Sequence, residues 1–153
     1  MKKKFILILI AFFTLSSCGY TPIYSGVDTQ TFKFNILKIE GDEEMNNMVN
    51  LKLKEVTNKN SLNTLDLNIN TDYTRNILSK NKEGKATSYS LKTHIEFEII
   101  TNAERKKYIF AEEIKTENMN NEFELKEYEK AIKNNFIDSK IFELISQLSI
   151  KNR

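Results

Sequence analysis

The 153-residue sequence predicts an α+β fold: a two-layer sandwich in which a four-stranded mixed sheet carries two helices on one face. Three observations lead there. Four segments alternate apolar and polar residues with the period of a strand, two repeat apolar residues at helical spacing, and they follow one another as β-α-β-β-β-α. Each strand is apolar on one face and each helix along one stripe, so two layers bury both together. With 40% hydrophobic and 29% charged residues, the chain suits one domain and is too short for two.

Taken in order, Phe32, Phe34 and Ile36 alternate with Lys33 and Asn35 in a first strand that runs to about Ile39. Gly41 and Asp42 break it, and Asp42 can cap the helix expected over 43–59, whose apolar stripe is Met45, Met48, Val49, Leu53 and Val56. Glu43 and Glu44 in its first turn and lysines near its end suit the helix dipole. Leu65, Leu67, Ile69, Thr71 and Tyr73 then form the apolar side of a second strand reaching Leu78. A turn over Asn81–Lys85 leads to the clearest strand, with Tyr89, Leu91, Ile95, Phe97 and Ile99 on one face and Ser90, Lys92, His94, Glu96 and Glu98 on the other. A further turn over Thr101–Arg105 opens a fourth strand, Lys107–Thr116. Asn121 and Glu124 resemble a capping box, and the stripe from Leu125 to Leu148 predicts one long helix with favourable outer pairs Glu122–Lys126 and Glu129–Lys133. The first two strands should be parallel through the helical crossover, and the later ones antiparallel.

The N-terminus is unlike the rest. Lys2, Lys3 and Lys4 precede an apolar core from Phe5 to Phe13 and then small polar residues, the layout of a secretory signal. Leu15-Ser16-Ser17-Cys18 resembles the bacterial lipobox, in which the thiol is alkylated by a diacylglyceryl group, the chain is cut before the cysteine, and the new amine is acylated. An ordinary signal peptide with a chance cysteine is the plainer alternative; the coincidence of leader, box and sole cysteine favours lipidation at Cys18. At about 0.8 kcal/mol per buried CH₂, two or more acyl chains anchor a protein stably. The organisation expected is a removed signal over 1–17, a lipidated tether over 18–30 containing the only proline, Pro22, and one domain over 31–153. Gly19, in place of Asp after the cysteine, resembles the outer-membrane-destined class of lipoproteins.

Charge and composition narrow the function. Lys+Arg 23 stand against Asp+Glu 21, and loss of the leader lysines leaves a formal charge of −1, which argues against nucleic acid as a partner. One cysteine excludes an internal disulfide framework, and with a single histidine it leaves no Cys/His zinc site. No run approaches the about 18 apolar residues of a membrane-spanning helix. His94 falls on the polar side of its strand, and the adjacent Glu112 and Glu113 point to opposite faces. No Gly-rich phosphate loop or serine elbow is present. The expectation is a protein without enzymatic activity, cofactor or metal.

Two basic clusters remain. Lys80, Lys82 and Lys85 crowd the turn between strands two and three, with Arg75 upstream, and Arg105, Lys106 and Lys107 crowd the next turn. Topology puts the first set at the end far from the anchor and the second near it. Solvation alone accounts for lysines in surface turns; if one set contacts an anionic headgroup, it is the distal one. The polar sheet face suits plain solvent or a hydrated partner, such as the polar lumen of a large barrel.

Cys18-Gly19-Tyr20-Thr21-Pro22-Ile23-Tyr24, following the lipobox, resembles the start common in the LPS-assembly lipoprotein LptE family. The resemblance continues through Ala86-Thr87-Ser88-Tyr89, the Asn-rich 118–121 segment and the long C-terminal helix, which here is Lys/Asn/Ile-rich where the family's is often Arg/Ala-rich. It implies a plug inside an LptD-type outer-membrane β-barrel, a lipid-anchored, periplasm-facing position, a part in inserting lipopolysaccharide into the outer leaflet, and direct binding of lipopolysaccharide. The competing expectation is a free-standing outer-membrane lipoprotein that binds a small ligand, peptidoglycan or an inhibitor target.

Overall fold

The structure, a computed structural model, describes residues 32–101, 104–119 and 121–151. The expected signal 1–17, Cys18 and the tether 18–30 lie outside the described residues. The elements are β1 (Lys33–Gly41), α1 (Glu43–Val56), β2 (Thr64–Lys80), β3 (Ala86–Ile100), β4 (Arg105–Glu117) and α2 (Glu122–Lys151), in the predicted order. The four strands form one sheet, β1-β2-β3-β4. β1 runs parallel to β2, and β3 is antiparallel to both β2 and β4.

Alternation sorts the sheet into two faces. Leu67, Ile69 and Thr71 of β2 lie opposite Ile99, Phe97 and Ile95 of β3, and Tyr108 and Phe110 of β4 face the same way. Both helices cover this side: Met45, Val49 and Leu53 of α1 and Phe136, Ile141, Leu144 and Ile145 of α2 join the strand residues in one buried cluster. At about 25 cal/mol per Å² of apolar surface removed from water, this shared layer is the main stabilising term. The other face is mostly polar, with Ile109 and Ala111 of β4 as apolar exceptions.

Local chemistry sets the boundaries. Gly41 ends β1 at φ 107°, where an added Cβ would lie 1.7 Å from the Thr71 carbonyl oxygen, so the chain turns against β2 only because no side chain intervenes. Asp42 caps α1 by accepting the Met45 N–H at 2.9 Å. α1 stops at Val56, short of the expected residue 59, because Thr57 turns extended and returns both its N–H and its hydroxyl to the Leu53 carbonyl. Asn121 caps α2, accepting the Glu124 N–H at 2.7 Å. The 30 residues of α2 span about 45 Å. No helix among the described residues is long and apolar enough to cross a membrane.

The expected outer pairs on α2 are replaced by longer-range ones. Glu122 and Glu129 receive Arg75 Nη1 at 3.5 and 2.9 Å. Lys133 is 5% exposed and reaches Glu44 at 2.8 Å and Asp42 at 3.4 Å, its ammonium 4.1 Å from the centre of the Tyr73 ring. Glu129 and Lys133, both largely buried, each find their partner on another element across the packing interface.

Candidate functional site

The sheet is not equally long throughout. β1 makes its last pairing at Gly41–Thr71, while β2 continues to Lys80 and pairs with β3 up to Lys80–Ala86. The β2–β3 hairpin therefore projects past β1 and the start of α1. Its turn is built by Asn81, whose side chain accepts the N–H groups of Glu83 and Lys85 at 3.0 and 2.9 Å, with Gly84 at φ 80°. Ser79 is hydrogen-bonded side chain to side chain with Thr87 and Ser88, tying the two strands just below the turn.

Lys80, Lys82 and Lys85 all stand exposed on this tip. Lys85 lies 3.7 Å from Glu83, whereas Lys80 and Lys82 make no ion pair with any described residue. Three ammonium groups against one carboxylate give the tip a positive charge. Ile77 and Leu78, 51% and 49% exposed, sit immediately below, and Phe123 at the start of α2 is 70% exposed at the same end. The tip thus sets cations above a group of exposed apolar side chains.

Arg75 is not part of this group. It points to the helical face, bonded to Glu122 and Glu129, with its guanidinium carbon 5.3 Å from the centre of the Tyr89 ring. Tyr73, beside it, has its hydroxyl pushed well above the ordinary range, first by burial and then by the charge of Glu129.

The second basic cluster is dispersed by strand alternation. Lys107 lies on the open face, 2.7 Å from Glu96, while Lys106 lies on the other side, 4.7 Å from the centre of the Tyr108 ring. Arg105 pairs with Ile100 at the end of the sheet where β1 begins. The two clusters thus occupy opposite ends of β3, whose 15 residues extend about 50 Å.

His94 sits on the open face, between Asp72 and Ala111 in the strand register. Glu112 and Glu113 face opposite ways, as alternation requires. Glu113 accepts a 2.5 Å hydrogen bond from Ser90 and has Lys92 at 3.7 Å; the Ser90 hydroxyl, more than Lys92, holds its carboxyl below the ordinary range. Among the described residues no group of three His, Cys, Asp or Glu side chains could hold a metal ion.

Sequence reasoning missed the apolar collar and the withdrawal of Arg75. The first had a signal: consecutive Ile77 and Leu78 in a strand cannot both face a core. The second had none, since its partners lie 47 and 54 residues away.

No family model and no curated protein matches the chain. Among solved structures it is similar to the rare lipoprotein B from Shewanella oneidensis, with a TM-score of 0.55 and 16% identity, over 78% of this chain and 100% of that one. The chain shares that lipoprotein's fold. It is also similar to a minor lipoprotein from Acinetobacter baumannii, with a TM-score of 0.48 and 17% identity over 76% of this chain and 94% of the other.

Proposed function

We propose that the protein is an outer-membrane lipoprotein, anchored through acyl chains on Cys18, that plugs an LptD-type β-barrel and takes part in delivering lipopolysaccharide to the outer leaflet. The observation that carries this reading is the hairpin tip. Lys80, Lys82 and Lys85 stand on the projecting end of the sheet, above Ile77 and Leu78, and about 50 Å from the end where β1 begins. A tether leading into β1 would hold one end near the membrane and present the cationic tip at the other. Lipopolysaccharide has the matching chemistry, phosphates at the junction with acyl chains.

The body of the domain fits the second half of the proposal. Its helices seal the apolar sheet face, and the other face is hydrophilic, which suits the polar lumen of a large barrel. The protein's contribution is then shape and charge, with no covalent step.

The test is lipopolysaccharide binding by the full-length acylated protein in detergent, with Lys80, Lys82 and Lys85 all replaced by Gln. Binding is expected to weaken at least tenfold, about 1.4 kcal/mol. Unchanged binding would remove the tip from the account.

A further inference from the structure

Toward the end where β1 begins, polar side chains of the open sheet face are paired with one another. Lys38 meets Glu40 at 2.8 Å, Asn35 meets Asp66 at 2.8 Å, Asn68 meets Glu98 at 2.8 Å, and Lys107 meets Glu96 at 2.7 Å. The centre differs. Asn70, Asp72 and Thr74 of β2 and His94 of β3 make no side-chain hydrogen bond or ion pair with any described residue. Asp72, Thr74 and His94, together with Lys92 and Glu113, line a depression of about 500 Å³ whose floor on β4 is Ala111, the residue directly across from His94. Long side chains surround a methyl group there, and Ile109, 59% exposed, adds an apolar rim two residues along the strand.

We infer that this depression receives an arginine side chain from the wall of the partner barrel. Asp72 makes no ion pair with any described residue, Lys92 in the same lining lying 3.7 Å from Glu113 instead, and a guanidinium can meet the free carboxylate through two parallel N–H···O bonds. The His94 ring offers a flat surface for the guanidinium plane to stack on, the Ile109 rim covers its methylene stem, and Ala111 leaves the room. Lysine would satisfy the charge but neither the paired geometry nor the stacking. A chain whose neighbouring polar groups are paired and whose central ones are not is arranged to leave its binding capacity at that point. The inference rests on the proposed function, which supplies the barrel.

Full-length acylated protein carrying the photo-crosslinking residue benzoylphenylalanine in place of Thr74, isolated from its own membranes, is the probe, with the same residue in place of Lys126 on the helical side for comparison. Expected are a cross-link from position 74 to an arginine-containing barrel peptide identified by mass spectrometry, and at least a tenfold loss of co-isolated barrel in Asp72→Lys. Barrel recovered equally with Asp72→Lys, and cross-linked from 126 but not from 74, would overturn this inference and leave the proposed function standing. Absence of any barrel with the unsubstituted protein would overturn both.

Discussion

Gly41 and Gly84 share a positive φ, 107° and 80°, but answer to different constraints. At Gly41 a Cβ would collide with the Thr71 carbonyl, so Gly41→Ala should cost on the order of 3 kcal/mol. At Gly84 nothing lies within 4 Å of the added atom, and only the backbone preference is lost, about 1 kcal/mol. Denaturant midpoints of the two variants check this; equal losses would contradict the close approach at Thr71. The sequence marked both glycines as breaks, yet could not tell them apart, because the collision partner is 30 residues from Gly41. Glu113 gives a residue-scale test in pH. Its lowered carboxyl favours the folded state above the ordinary carboxylate range, and that contribution disappears as pH falls through the lowered value. An NMR titration should find Glu113 ionised after ordinary carboxylates have taken up protons, and Ser90→Ala should move its midpoint up. An unmoved midpoint would refute the Ser90 contribution.

Among the elements, α2 is held by two different means. Its C-terminal half buries Phe136, Ile137, Ile141, Leu144, Ile145 and Leu148 in the main cluster. Its N-terminal half has Leu125 and Ile132 buried apart from that cluster, with Arg75 gripping Glu122 and Glu129 and Lys133 gripping Asp42 and Glu44. Arg75→Met should therefore loosen the first half selectively. The loss should be about 2 kcal/mol, since Glu129 is left largely buried without its cation, and amide exchange should quicken over 122–132 while 136–148 is unchanged. Uniform acceleration along α2 would contradict this division. The helix itself was legible because its stripe runs unbroken by Gly or Pro and its Asn121 cap follows a local rule. The ion pairs were not, because i,i+4 reasoning sees only one helix, whereas Glu129 and Lys133 each find partners on other elements.

For the molecule as a whole, strand alternation and helical spacing were enough to predict the layers, because burying one apolar face per element leaves few arrangements. β2 runs past its expected end, Leu78, to Lys80, since hairpin pairing continues through residues whose pattern is no longer amphipathic. The position of the lysine tip followed from topology, while its apolar collar needed the structure to show Ile77, Leu78 and Phe123 left open. In the proposed reading, the cations at the far end of this domain face an anionic lipid. The measurement that reaches this claim most directly is depletion of the protein in its own cells, followed by quantification of lipopolysaccharide in the outer leaflet. The account predicts that surface lipopolysaccharide falls as the protein disappears and accumulates behind the outer membrane; an undiminished surface level in cells lacking the protein would contradict it.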